Sequence, residues 1–241
     1  MFLDSNKIIQ SLWIGDDLSV MERLCLESFL QNGHAFHLYA YQNIKNVPNG
    51  VDLLDANEII SFDRIFKDSR GGIASFSDWF RYKLLYDRGG WWVDMDSICL
   101  KRFDMDKDYC FSTERIGYHD TIINIGYIKS PAKADFLVEI LEYITPKLKE
   151  QVIWGDFGPK LFNAVLETYD SKGYVNPPEV FCPINPYDVI NLTIKQEYVP
   201  DKNTYAIHLW NEMWRIRQLN KNVKYHQDSI YEQLKARYNI S

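Results

Sequence analysis

Residues 75–97, SFSDWFRYKLLYDRGGWWVDMDS, constrain the fold more than any other stretch of the chain. Phe76, Phe80 and Leu84 recur at helical spacing and form one apolar stripe. Ser75 or Ser77 can accept the first free amide protons, and Arg88, Gly89 and Gly90 supply a cation and left-handed residues at the other end. The spacing predicts a helix over 75–90, and WWVD then predicts a strand. Asp94 and Asp96 follow with one residue between them. Alternation along an extended chain would point both carboxylates the same way. Two hard oxygen donors suit Mg²⁺ or Mn²⁺, which keep sites open for phosphate oxygens. Two aspartates capping a turn share that spacing, so the pair takes its meaning from its surroundings.

The flanking sequence alternates strands and helices. KIIQSLWI (7–14) reads as a buried strand stopped by Gly15. A helix follows, capped by Asp16 or Asp17, striped by Leu18, Leu24, Cys25 and Phe29 and closed by Gly33. AFHLYAY (35–41) is a second strand. Further strands are expected in YCFSTE, TIINIGYIKS and TYAIHLW (204–210), with helices in KADFLVEILEYI, PKLFNAVLETY and the tail, about 227–238. This order predicts a three-layer α/β/α sandwich whose ligands collect at the carboxyl ends of its strands. No repeat or linker divides the chain, so 1–241 is expected to be one domain.

Composition narrows the function. The chain has 241 residues, 46% of them hydrophobic, enough for a sizeable core. A net charge of −6 argues against nucleic acid as a partner. No apolar run reaches the ~18 residues of a membrane span. The opening MFLDSNKIIQSLWIG holds Asp4 and Lys7 and lacks a signal-like apolar region. Cys25, Cys99, Cys110 and Cys182 are scattered and suit buried free thiols in a reducing, cytoplasmic setting.

One turn before the metal-type pair, Asp78 and Arg81 share a helix face, as an exposed ion pair would or as a grip on sugar hydroxyls. From Ser77 to Asp96 the chain resembles the signature of the DxD sugar transferases of glycosyltransferase family 32. That family includes bacterial capsule and lipopolysaccharide enzymes and fungal mannosyltransferases, and the glucosyltransferase domains of large clostridial toxins carry a related block. Trp92 replaces the usual tyrosine. The resemblance implies a GT-A fold with a Rossmann-like nucleotide-binding half. It also implies a retaining, metal-dependent transfer of a hexose or N-acetylhexosamine from a nucleotide-sugar, a UDP-sugar before a GDP-sugar.

The same resemblance assigns residues. Asp94, Asp96 and His208 would hold the metal, His208 coming from AIHLWNEMW. Trp13 would stack on the donor base unless it is a core aromatic. Trp92 would line the donor, with Trp210 and Trp214 over the sugar and diphosphate. Asp78, Arg81 and Asn124 would face the sugar, and Asp156, just before a Gly-Pro helix start, would bind its hydroxyls or cap that helix. No credible enzyme nucleophile is legible, which suits a front-face displacement. A hydrolase would separate its carboxyls by ~5–9.5 Å rather than write them as DxD. A non-catalytic carbohydrate-binding protein would be expected to lose the metal carboxylates. The implied acceptor is a glycan or lipid-linked glycan of a bacterial surface polysaccharide. The tail mixes Lys221, Lys224, Lys235 and Arg237 with Tyr225, Tyr231 and Tyr238, so at most weak, salt-sensitive contact with the inner membrane face is expected.

Overall fold

Ile9–Trp13 forms β1, buried over its first four residues, in the computed structural model, which describes residues 7–117 and 120–241. The opening of the chain, read as lacking an apolar leader, lies partly outside the described residues. α1 (Val20–Gln31) follows, and its cap is Ser19 rather than Asp16 or Asp17. Ser19 and Glu22 form a reciprocal capping box, which satisfies two free amides at once. β2 (Phe36–Ala40) pairs parallel with β1, and β3 (Val51–Asp55) pairs parallel with β2. β3 has no counterpart among the predicted strands. It is an edge strand, half exposed along VDLLD, so it carries no buried apolar run.

The chain then crosses back through α2 (Ala74–Arg88), and β4 (Gly90–Val93) joins the free edge of β1. No serine caps α2: its N-cap is Ile73, and Ser75 lies inside the helix near the buried carboxylate of Asp68, whose Oδ2 is 3.4 Å from the Ser75 amide. Gly89 ends α2 at φ +66, where an added Cβ would lie 2.6 Å from the Ala132 amide nitrogen, so only glycine fits the turn into β4.

β5 (Ser97–Cys99) leaves the main sheet. β6 (Cys110–Ile116) and β7 (Asp120–Ser130) complete it, β7 running antiparallel to both β4 and β6. The order is β3-β2-β1-β4-β7-β6, a mostly parallel, GT-A-type sheet. Its connections reverse direction between β1 and β4, which opens a cleft at their carboxyl ends.

Helices cover both faces. Trp91 and Trp92 alternate along β4, so each goes into a different core. Trp92 packs with Phe76, Phe80 and Leu84 of α2, with α3 (Asp135–Lys147), and with α4 (Pro159–Leu166). Trp91 packs on the α1 side, where α5 (Pro178–Phe181) supplies Phe181. Each indole is 1% exposed, and burying one contributes roughly 4–6 kcal/mol as an upper bound.

The stretch 204–210 yields only β8 (Ala206–His208), paired with β5 in a separate ribbon. α6 (Asn211–Ile216) starts directly afterwards because Trp210 turns the chain at φ +60. In the tail, α7 (Ile230–Arg237) buries Ile230, Tyr231 and Leu234 in the α1-side core. Its basic residues are used internally: Lys235 pairs with Glu232 at 2.8 Å, and Arg237 donates to the Leu100 carbonyl at 2.7 Å. No helix among the described residues is long and apolar enough to cross a membrane. All four cysteines are buried and unpaired.

Candidate active site

The switch point between β1 and β4 holds a cleft of about 510 Å³, lined among others by Trp13, Asp78, Arg81, Asp94, Asp96 and Asn124. Its carboxylates do not converge by strand alternation. β4 stops at Val93, and residues 94–96 form a turn in which the Ser97 amide donates to the Asp94 carbonyl at 3.0 Å. The turn, not the pleat, brings Asp94 and Asp96 together.

His208 joins them because β8 pairs antiparallel with β5, setting His208 opposite Ser97, the residue after Asp96. His208 Nε2 lies 3.1 Å from Asp96 Oδ1 and 4.0 Å from Asp94 Oδ2. One ligand atom from each of the three residues falls within 4.8 Å of the others. Two carboxylates and an imidazole at this separation fit a divalent cation of the Mg²⁺ or Mn²⁺ kind. Burial disfavours the charged ring of His208, but the adjacent Asp96 carboxylate overrides that and holds its pKa well above the usual value. The reciprocal effect lowers Asp96, against its own burial. A bound cation would displace that imidazolium proton.

The remaining carboxylate oxygens are committed. Asp94 Oδ1 accepts from Trp92 Nε1 at 2.8 Å and lies 3.1 Å from an Arg81 terminal nitrogen. Asp96 Oδ2 accepts from the Asn211 amide at 2.6 Å. Arg81 is not the exposed ion pair its helix spacing allows. It is 5% exposed, lies 3.2 Å from Asp78 Oδ1, and donates to the Ile125 carbonyl. Burial pushes the Asp78 carboxyl up to about 6, partly offset by Arg81 and reinforced by Asp94.

Asn124 is oriented by three contacts: Nδ2 donates to Glu114 Oε2 at 2.9 Å, and Oδ1 accepts from the Gly126 amide at 2.6 Å and from Ser112 Oγ at 3.5 Å. Trp13 borders the cleft half-buried, with Nε1 donating to the Asp17 carbonyl at 3.0 Å.

Three expected residues lie elsewhere. Trp214 is a core residue, 1% exposed, its Nε1 bonded to the Leu209 carbonyl at 2.7 Å and its ring 4.9 Å from that of Tyr231. Trp210 supports the site from behind: its ring stacks 4.0 Å from that of His208, and its Nε1 donates to the Ile184 carbonyl. Asp156 pairs with Lys147 at 3.7 Å and does not line the cleft, although Trp154, Gly155 and Gly158 beside it do.

Sequence reasoning missed Glu22, Asp68, Glu114 and Gly126. Glu22 borders the cleft, paired with Lys221 from the far end of the chain. An added Cβ on Gly126 would lie 2.7 Å from Asn124 Oδ1, 3.0 Å from Asp94 Oδ2 and 3.0 Å from His208 Cε1. Glu22 carries a local signal only as a helix cap, in the Ser19-x-x-Glu22 spacing, and the other three carry none beyond their type.

Comparison with known families divides the chain into two matched regions. Residues 19–120 match the glycosyltransferase sugar-binding region containing the DXD motif. Residues 131–239 match the alpha 1,4-glycosyltransferase conserved region. No curated protein matches the chain. Among solved structures it is similar to the PaToxG glycosyltransferase, at 17% identity and a TM-score of 0.52, over 67% of this chain and 69% of that one, a likeness of fold. A transferase carrying two cysteine-to-serine substitutions overlaps at 13% identity and a TM-score of 0.44, over 70% of this chain and 88% of that one. Both matched regions are thus regions of glycosyltransferases, and the first of them contains the DXD carboxylates at the switch point of the sheet.

Proposed function

We propose that the protein transfers a hexose or N-acetylhexosamine from a nucleotide-sugar, a UDP-sugar first, to a glycan hydroxyl, with retention of configuration and with Mn²⁺ or Mg²⁺ bound. The carrying observation is the convergence of Asp94, Asp96 and His208 beside the Arg81–Asp78 pair at the sheet's switch point. A divalent ion held there would stabilise the departing diphosphate as a Lewis acid. Arg81 and Asp78 would grip the hydroxyls of the transferred sugar, and Asn124, its amide locked by Glu114, would face the same ring. Trp13 would stack on the donor base.

Retention by a front-face displacement is supported by the state of the cleft carboxylates. Asp78 is held by Arg81, Asp94 by Arg81 and Trp92, and Asp96 by His208 and the Asn211 amide. Glu22 is held by Lys221 and the Ser19 amide, and Glu212 by Arg215. None is presented free as a nucleophile, so the leaving phosphate is assigned the acceptor's proton. Assembly of a bacterial surface polysaccharide is the biological setting that fits this chemistry.

The test is nucleotide release from a panel of UDP- and GDP-sugars with Mn²⁺, Mg²⁺ or a chelator. Release only with metal, lost in Asp96→Ala, is expected. Undiminished turnover in chelator contradicts the metal role. Proton NMR of the fresh glycoside should show an α linkage from an α-linked donor; a β linkage overturns retention.

A further inference from the structure

Trp154 stands at the mouth of the cleft, in the segment between α3 and α4. Its side chain is 41% exposed, yet it lines the same cavity as Asp78, Arg81 and Asp94. The segment is pinned rather than slack. Val152 and Phe157 are buried on either side of it. The Trp154 amide donates to Ser69 Oγ at 3.0 Å, and the Ser69 amide donates to the Val152 carbonyl at 2.9 Å. Gly155 turns the chain at φ +88, a conformation glycine adopts freely, and its carbonyl accepts from the Gly158 amide at 3.1 Å. A Cβ on Gly158 would lie 3.8 Å from Asp78 Oδ2, so this turn closes against the carboxylate assigned to the donor sugar.

The indole is therefore held in place by its backbone while its ring stays open to solvent. Arg70 lies over one face, its guanidinium carbon 3.6 Å from the ring centroid. A planar cation there braces the ring without burying it. The face of an indole carries partial negative charge, which suits the partly positive C–H groups on the flat side of a pyranose.

We infer that Trp154 is the acceptor platform, on which a pyranose of the acceptor glycan stacks so that one of its hydroxyls meets the donor sugar at Asp78 and Arg81. The inference rests on the transferase reading above. In the transfer, the acceptor oxygen bonds to the donor's anomeric carbon as the bond from that carbon to the diphosphate oxygen breaks. The electron pair leaves with the diphosphate, and the hydroxyl proton passes to a departing phosphate oxygen. The platform explains why a large aromatic is kept exposed on a braced turn at the edge of this particular cleft.

The experiment uses the full chain with Mn²⁺ and whichever nucleotide-sugar the wild type cleaves. The α- and β-methyl glycosides of glucose, galactose, mannose and N-acetylglucosamine serve as acceptor probes. In the wild type, one or more of them should accelerate nucleotide release and appear as a disaccharide. In Trp154→Ala the acceptor KM should rise tenfold or more while the donor KM moves less than threefold, and Trp154→Phe should recover most of the loss. An unchanged acceptor KM in Trp154→Ala overturns the platform, as does a wild type that cleaves donor but responds to none of the pyranosides. Failure of the wild type to cleave any donor is a different outcome, which removes the transferase reading and the platform with it.

Discussion

Trp92 Nε1 donates to Asp94 Oδ1 at 2.8 Å, two residues along the same chain. The indole that anchors the α2-side core thus also aims a carboxylate of the DXD turn, leaving Asp94 Oδ2 toward His208. Core packing and the geometry of the acidic cluster share one side chain.

Trp92→Phe keeps an aromatic ring in the core and removes the N–H. Outer partners of metal ligands typically contribute 10–100-fold to affinity, so Mn²⁺ binding is expected to weaken by ~10-fold or more. Calorimetric titration of Mn²⁺ into the folded variant measures it. Affinity equal to the wild type would mean that Arg81 alone orients Asp94.

Gly126→Ala places a methyl carbon 3.0 Å from both Asp94 Oδ2 and His208 Cε1. The backbone at Gly126 is not in the left-handed region, so the cost falls on the site rather than on the strand. Donor cleavage and Mn²⁺ binding should both fall by ~10-fold or more, an order of magnitude being ~1.4 kcal/mol. Circular dichroism should stay that of the wild type. Full activity in Gly126→Ala would show that the ligands can shift at no cost.

Asp78 links stability to pH. Its folded carboxyl is pushed up to about 6, from an ordinary value of 3.8, chiefly by burial. The native state then holds this proton more tightly than the unfolded chain, so the contribution to stability is lost as pH rises from about 4 to about 6. The loss is on the order of 3 kcal/mol. Asp78→Asn cannot titrate and should lack this part of the slope in urea unfolding between pH 4 and 7, while losing transferase activity. Identical slopes in the two proteins would assign the pH dependence to other groups.

Arg81 spans Asp78, Asp94 and the Ile125 carbonyl from a nearly sealed position. Arg81→Met strands two carboxylates, and breaking a buried pair in this way costs about 3–5 kcal/mol. Arg81→Lys keeps a charge but loses the planar fork, so it should fold more stably than Arg81→Met and still lose most of its activity. Thermal unfolding together with donor cleavage separates the two effects. A fully active Arg81→Lys would reduce the residue to a simple counter-charge.

Much of the site was legible in one uninterrupted stretch. Helix spacing in 75–90, the glycine pair and the DXD spacing are local, and Asp78, Arg81, Trp92, Asp94 and Asp96 all line one cleft, although a turn rather than strand alternation joins the last two. Trp210 and Trp214 show where local reading stops. Both neighbour a metal-type histidine, but β8 is only three residues long and Trp210 turns the chain at φ +60. That turn sends Trp214 inward onto Tyr231, and no sequence spacing announces it. Asp156 was likewise drawn to Lys147 by a partner on α3.

The sequence by itself determined the alternation of strands and helices, the strand in WWVD, and the presence of paired hard carboxylates after a glycine-closed helix. Each follows from periodicity and residue type over a few turns of chain. Only the tertiary structure decided that His208 meets Asp96, that Glu114 fixes Asn124, and that Gly126 leaves room for Asp94 and His208. Those pairings join residues from 2 to 112 positions apart through sheet register and close packing. Register is settled by the sum of many buried contacts, so no single stretch of sequence encodes it.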